Sequence, residues 1–469
     1  MAANQGNIEI VIPPRDIIHP SCPHGPAILF EQFDQATKTV RQFFACSAFR
    51  DKSKCSFHQW VDEKHDKPSH ESNTFSHKKH RLRYRKFRAL AKTKRYVCCT
   101  CGLLLLPSEI HHHNKQGHAI KGSVQLKDLR KPSYLFAPLD DNKTFAQYLF
   151  SPKTVEFLLK SVEHLGYSHV LCVGTPRIHE EIQLRRKHGD TFLSSMLLDL
   201  DERYAQLYSP ALFAKYNMFN HHFFEKKGKK QAKKFLATGL KGTVLITDPP
   251  FGGMVEALAQ SFAKISQTWQ DMCKELPLEQ ESLLVKDVSI PMMWIFPYFM
   301  ENKVLTHMPS LTMLDYKVDY DNHNLFNNHH KKKRSPVRIF TNITPADFHL
   351  PEEEGYWFCK LCQRYSSEEN QHCKDCGTCP SKDGTSYVHC DACLRCVKPS
   401  RFHCFKCGFC VLKDHQCGKI LSSGCYICGE AGHKRRECPQ RHTSLTANKL
   451  QKRKKISQPG PNRKKRRKE

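Results

Sequence analysis

No apolar run in this 469-residue chain approaches the roughly 18 residues that a bilayer crossing requires. No basic-then-apolar leader opens "MAANQGNIEI". A membrane-spanning role is therefore not expected. Acidic charge is also in short supply. There are 46 Asp and Glu against 74 Lys and Arg, a formal net charge of +28 and a pI near 9.3. Such an excess is foreign to most metabolic enzymes. It makes nucleic acid the first candidate partner and an anionic membrane surface the second. Cysteine is nearly missing from residues 133–345, where only Cys172 and Cys273 occur, and these read as core residues. Elsewhere cysteine is abundant, but the chain is too long and its pairs too close for a small disulfide scaffold.

Apart from Cys99, Cys172 and Cys273, the 23 cysteines sit in short-spaced clusters, most of them C-x2-C pairs, with histidines between. Thiolate and imidazole at such spacings suit tetrahedral Zn2+, so several zinc ions are expected as structural cofactors. In residues 1–62, Cys22, His24, Cys46 and Cys55 form a C-x-H then C-x8-C set that resembles a GRF zinc finger. The aromatics Phe57 and Trp60 beside it belong either to the finger's small core or to a base-stacking surface. Residues 63–95 are basic and histidine-rich and read as a linker or a basic helix. Residues 96–122 carry Cys98, Cys101, His113 and His118 at close to C2H2 spacing, with His112 as an alternative to His113 and Cys99 as a competing thiol.

Residues 356–417 repeat paired ligands: Cys359, Cys362, His372, Cys373, Cys376, Cys379, His389, Cys390, Cys393, Cys396, His403, Cys404, Cys407, Cys410, His415 and Cys417. With little apolar material of its own, this stretch depends on three or four metals to fold. It resembles CTCHY and DHHC-like zinc arrays. A palmitoyltransferase reading fails, because "KDHQC" lacks two adjacent histidines and no spans accompany it. Residues 423–440 hold Cys425, Cys428, His433 and Cys438 in C-x2-C-x4-H-x4-C spacing, which fits a zinc knuckle, a recurrent single-stranded RNA module. The remainder, residues 441–469, is a basic tail, disordered by composition, whose two basic blocks resemble a bipartite nuclear-import signal.

Residues 133–345 alternate apolar strands with amphipathic helices, the pattern of a largely parallel sheet with helices on both faces. The strands read "SHVLCVGTP", "SSMLLDLD", "AKYNMFN", "GTVLITDPPF" and "SIPMMWIFPYF", with "LTMLDYKVDYDN" and "PVRIFTNI" as a final antiparallel pair. Gly174 turns the first strand, and Asp199, or alternatively Asp201, ends the second. The fourth ends in Asp248, Pro249, Pro250 and Phe251. Two prolines cannot continue a strand, so the aspartate is held at a stiff exit.

Glycine turn, acid and Asp-Pro-Pro-Phe, in that order, resemble the class I S-adenosyl-L-methionine-dependent amino-methyltransferases. That resemblance implies a Rossmann-like α/β fold with a seven-stranded sheet, flanked here by the small zinc-stabilised modules. It also implies catalytic roles for Asp248, Pro249, Pro250 and Phe251. Gly174, Thr175, Pro176 and Arg177 would border the cofactor's methionine part, and Asp199 would hold its ribose. Asn217, Met218 and Phe219 would flank the adenine; Gln147, Tyr148 and Phe150 would cover the cofactor; and Asp248 would lie against it. The turn departs from the family in having a single glycine.

The order of modules over nearly the whole chain resembles the CCHC zinc-finger ribosomal RNA adenine-N6 methyltransferases. That likeness implies a structured RNA substrate, large-subunit (28S) ribosomal RNA. It implies residence in nucleus and nucleolus, with cytoplasm as a further site, and RNA-processing proteins as further partners. Rival readings are a protein glutamine methyltransferase, a non-catalytic RNA-binding adaptor, and a ligase-like role for the Cys/His array. Strand topology adds one expectation: lysines in Glu225–Lys234 and His329–Pro336 should stand on the catalytic rim and meet RNA phosphates.

Overall fold

The structure, a computed structural model, describes residues 8–11, 19–34, 39–49, 51–63, 75–139, 147–274, 289–323 and 335–417. The knuckle ligands Cys425, Cys428, His433 and Cys438, the tail, and residues 329–334 of the second lysine cluster lie outside the described residues. Contacts divide the chain into two compact units. One comprises Ser21–Pro26 with Ser69–Pro399, the other Met1–Pro20 with Ala27–Pro68 and Ser400–Glu469.

The larger unit is built on one twisted sheet. Its strands are β1 (His169–Val173), β2 (Ser194–Asp199), β3 (Phe213–Asn217), β4 (His222–Phe223), β5 (Thr243–Thr247), β6 (Met292–Pro297), β7 (Thr312–Leu314) and β8 (Val337–Thr341). The order across the sheet is β4-β3-β2-β1-β5-β6-β8-β7. The pairs β1–β2, β1–β5, β2–β3 and β5–β6 are parallel, whereas β4, β8 and β7 run antiparallel to their neighbours. All seven strands read from the sequence are present. The eighth, β4, is a two-residue edge strand with too little pattern to announce itself. The sixth is shorter than its apolar text, because only Thr312–Leu314 joins the ladder.

The central strands are apolar at almost every position because helices cover both faces. Val170 and Cys172 point into a core with Leu158, Val162, Ile178 and Ile182, from helices α1 (Pro152–His164) and α2 (Pro176–His188). Leu171 and Leu198 point the other way, toward Ala232, Leu236 and Ile265 of α3 (Lys226–Gly239) and α4 (Val255–Lys274). Local signals set the helix ends. Ser151 caps α1 by accepting the Thr154 N–H, with Pro152 at the first position. α2 begins at Pro176 and stops at left-handed Gly189.

Register places the site. Val173 pairs with Leu198 and with Thr247, but β3 is shifted so that Asp199 pairs with Lys215. β3 thus overshoots its neighbours, carrying Asn217–Phe219 beyond the strand ends that bear Gly174, Asp199 and Asp248. In this unit the basic stretch after residue 75 is an anchored helix rather than a solvated linker. Residues His77–Ala89 are capped by Ser76 and bury Phe87 completely, which contributes roughly 2 kcal/mol. Arg81 donates to the carbonyls of Gln206 and Leu207, and Arg83 forks onto Glu109.

The smaller unit holds a four-stranded antiparallel sheet in the order Ile8–Ile10, Ile28–Asp34, Thr39–Ala45, His58–Trp60. Phe57 packs on Ala27, Leu29 and Phe44, so it belongs to the core. Trp60 is half-buried, with the Arg41 guanidinium 3.9 Å above its ring.

Candidate functional site

The carboxyl ends of β1, β3 and β5 converge on Gly174. Its φ is +67°, a conformation that glycine adopts without steric penalty. A Cβ there would lie 2.7 Å from Met218 Cε and 3.4 Å from the Asp248 carbonyl oxygen. Three segments picked out separately in the sequence therefore meet within one side chain's width.

Asp248 leaves β5 partly buried, and burial pushes its carboxyl well above the usual carboxylate range. Tyr320 opposes that rise by donating its hydroxyl to Asp248 Oδ1 at 2.9 Å. Gly253 N–H closes the turn onto the Pro250 carbonyl at 2.7 Å, which orients Phe251. Tyr148 stacks on Phe251 with centroids 5.5 Å apart, His323 lies 4.3 Å from Tyr148, and Tyr320 stacks on Phe150 at 5.2 Å. An aromatic enclosure thus surrounds one carboxylate. Tyr320 and His323 escaped the sequence reading. Tyr320 lies 72 positions from its partner in a stretch that reads as plain strand, so no local signal marked it.

Two acids stand at the end of β2 in different settings. Asp201 is gripped by Arg203, whose Nε and Nη2 donate to its two oxygens at 2.8 and 2.7 Å. Asp199 Oδ1 accepts the Asp201 N–H at 2.9 Å. Burial first, then the neighbouring Asp201 charge, pushes the Asp199 carboxyl up to about 7.

Two other candidates are committed elsewhere. Arg177 is buried and donates to the Phe150 carbonyl, to Asp321 and to Ser133 Oγ, with Tyr134 under its guanidinium. It clamps the 150 and 321 segments onto α2 and does not present its charge to a ligand, which corrects the expected cofactor contact. The Asn217 carboxamide donates to the His24 carbonyl at 2.9 Å and accepts the Phe219 N–H at 3.0 Å. Met218 and Phe219 remain as the apolar wall, with Phe219 against Gly253. Thr175 is buried with its hydroxyl toward the Ile246 carbonyl, and the Gln147 side chain accepts the Leu139 N–H.

The lysines of Glu225–Lys234 lie on helix α3, not on a loop. Gly228 sits against Ala214 and Gly239 against Thr243, so, compared with residues 226–230, Lys233 and Lys234 lie further along the helix from the carboxyl ends of the strands. Only its first turn stays level with them.

The Cys/His groups have zinc geometry. In the C2H2 segment, Cys101 Sγ lies 3.7 Å from His113 Nδ1 and 3.2 Å from His118 Nδ1, and the two nitrogens are 3.1 Å apart. Cys98 completes the group, His112 is exposed outside it, and Cys99 is not among its members. In the array one set is Cys359, Cys362, His372 and Cys379, and the next is Cys373, Cys376, His389 and Cys396. Separations of 3.2 to 3.8 Å within each set match the edges of a tetrahedron with zinc–ligand bonds of about 2.0–2.3 Å. In the smaller unit Cys417 Sγ lies 3.6 Å from Cys404 Sγ and 3.0 Å from His415 Nε2, with Cys407 beside them. Each set takes its first pair from one repeat and its last two ligands from further on, so the sets interlock. The residues that follow Cys101, Cys362, Cys376, Cys393 and Cys407, each the second cysteine of a C-x2-C pair, have positive φ: Gly102, Gln363, Gly377, Leu394 and Gly408. The shared turn lets both thiolates face one point.

The fold and this edge define a class I N6-adenine methyltransferase. The family model "Probable N6-adenine methyltransferase" matches residues 141–344, a GRF zinc finger model matches 20–64, covering Cys22, His24, Cys46 and Cys55, and a zinc knuckle model matches 423–440. The chain is 46% identical to the human rRNA N(6)-adenosine-methyltransferase ZCCHC4 over 94% of its own length and 87% of that protein. It is 45% identical to the mouse protein of that name, over 92% and 84% of the two chains. Against the Xenopus tropicalis protein the identity is 45%, over 91% and 88%. The chain belongs to the ZCCHC4 family of rRNA N(6)-adenosine-methyltransferases.

Proposed function

We propose that this protein methylates N6 of an adenosine in ribosomal RNA, most specifically the 28S RNA of the large subunit, with S-adenosyl-L-methionine as donor. The observation that carries the reading is the pairing of Asp248 with Tyr320 inside an aromatic enclosure at the Gly174 edge. The cofactor supplies an electrophilic methyl group on sulfonium. The rest falls to side chains of this chain. Asp248 accepts a hydrogen bond from the exocyclic amine through the oxygen that Tyr320 leaves open. The Pro249 carbonyl takes the other amino hydrogen, and Pro250 stiffens the turn so that both acceptors are preorganised. Phe251, backed by the stacked Tyr148 ring, stacks on the flipped base. The raised Asp248 carboxyl suits it to receive the proton that the methylated amine sheds. Asp199 holds the ribose hydroxyls, Gly174, Thr175 and Pro176 border the methionine part, and Met218 and Phe219 enclose the adenine. Gln147 and Phe150 close over the cofactor.

The Cys/His sets hold zinc, and the finger modules with the +28 charge position a structured RNA. The basic blocks after residue 448 support residence in the nucleus and nucleolus, with RNA-processing proteins as neighbours. The deciding experiment incubates zinc-loaded protein with total RNA and labelled cofactor, then identifies the product nucleoside by mass spectrometry. N6-methyladenosine in 28S RNA, lost in Asp248→Ala, is the expected result. Label in protein instead of RNA would overturn it.

A further inference from the structure

The C2H2 segment is joined to the methyltransferase sheet by one turn. After Cys98 and Cys101 the chain reverses at Gly102, at φ +65°. A Cβ on Gly102 would lie 2.3 Å from Arg203 Cδ, so the Arg203 stem runs across the bare face of the turn. The same turn grips Gln206, which is fully buried. Gln206 Nε2 donates to the Gly102 carbonyl at 2.8 Å, and Gln206 Oε1 accepts the Leu104 N–H at 3.1 Å. Arg203 and Gln206 belong to one short 3-10 segment, Glu202–Gln206, capped by Asp201 two residues after Asp199 ends β2. From Arg203 the contacts continue inward. Its fork holds Asp201, its Nη1 donates to the Ala137 carbonyl at 2.8 Å, and the Asp201 N–H holds Asp199 Oδ1. Charge-assisted bonds in a buried setting are the strongest and most directional contacts available to such a chain.

We infer that the C2H2 finger sets cofactor affinity: its Cys101–Gly102 turn seats Arg203 and Gln206, and these position Asp199 through Asp201. This rests on the reading of Asp199 as the ribose acid. Arg203 and Gln206 are positioning residues, acting through another carboxylate. The finger is thereby a wall of the cofactor site, whatever else it contacts. Without the turn, the Arg203 stem loses its seat and Asp201 its fixed guanidinium. The N–H that fixes Asp199 then moves with the backbone. Loss of such outer support ordinarily weakens binding at the group it orients.

The finger contains its own control. Gly117 is also left-handed, at φ +70°, but a Cβ there would meet nothing within 4 Å. Gly102→Ala and Gly117→Ala therefore carry similar backbone strain, and only the first displaces Arg203. Zinc content is measured by native mass spectrometry, cofactor affinity by calorimetry, and kcat and KM on RNA. Gly102→Ala should keep its zinc and raise the cofactor Kd and KM by about tenfold or more, a shift of one decade in binding constant. Its kcat at saturating cofactor should stay near wild type, and Gly117→Ala should bind cofactor normally. Wild-type affinity in zinc-loaded Gly102→Ala, or equal losses in both variants, overturns the inference. Should Gly102→Ala fail to fold, Arg203→Lys keeps the charge and removes the fork. The same KM-against-kcat split is then expected, and unchanged affinity overturns it. Asp199→Ala separates the two layers. If it binds cofactor normally, the ribose reading fails; if it is deficient beside a normal Gly102→Ala, only the finger's part fails.

Discussion

Tyr320 is the residue on which the chemistry turns most visibly. Burial raises the Asp248 carboxyl well above the usual range, and the Tyr320 hydroxyl opposes that rise by favouring the charged form. Tyr320→Phe keeps the ring stacked on Phe150 and removes one hydrogen bond. kcat should fall by roughly tenfold, equivalent to losing one charge-assisted bond. The acid limb of the rate profile should also move to higher pH, because an Asp248 without its donor protonates more readily. A profile with an unmoved acid limb would count against the role. Asp199 gives a second pH signature. With its carboxyl pushed up to about 7, it takes a proton as pH falls through neutrality, and in the ribose-binding role proposed for it would then accept hydroxyls less well. In the cofactor-free protein the raised value means stability is greatest with Asp199 protonated and is lost as pH rises through about 7. The thermal stabilisation given by cofactor should therefore grow from about pH 6 to about pH 8, and Asp199→Asn should flatten that trend. Residues differed in how far the sequence revealed them. Asp248 was legible because prolines make its strand exit unusual. Arg177 was misread because adjacency to the glycine turn says nothing of where a long side chain goes, and its charge went to Asp321.

Elements were legible where burial is two-sided. β1, β2, β5 and β6 are apolar runs because both faces are covered, and such text has few other meanings. Residues 77–89 were obscure for the opposite reason. A helix so rich in Lys and Arg carries a short apolar record, and Phe87 and the pinned Arg81 and Arg83 supply its attachment. The interlocked zinc sets also lay beyond sequence reading, since spacing alone permits several pairings. Their interlock has a measurable effect. Cys373 and Cys376 lie between His372 and Cys379, ligands of the preceding set. Cys376→Ala should release at least two zinc ions per chain, whereas Cys101→Ala, in the separate C2H2 set, should release one. Native mass spectrometry counts them, and one ion lost from each variant would show that the sets fold independently.

At the scale of the molecule the excess positive charge governs association with RNA. Binding should weaken steeply with salt, since each phosphate neutralised releases counterions. Lys226, Lys227, Lys229 and Lys230 are exposed at the start of α3, whose first turn has no acidic residue to complement the helix dipole. Changing all four to Gln should lower the slope of log K against log salt by up to about 3, at roughly 0.7 per phosphate contact. An unchanged slope would place the RNA elsewhere. Lys233 and Lys234, lower on the same helix, should contribute less. The overall sheet order was legible only in part. The sequence announces a parallel α/β core, but β4 is two residues long and enters through pairing with β3 alone.

The close approach at Gly174 has a consequence for how such a protein can change. One missing side chain gives clearance at once to Met218, on the side proposed for the cofactor, and to the backbone of Asp248, on the side proposed for the base. The two halves of the reaction share a single tolerance. A shift in one is transmitted to the other through that shared contact. Gly174→Ala should accordingly raise the cofactor KM and lower kcat in the same protein, in contrast to the affinity-only change expected at Gly102.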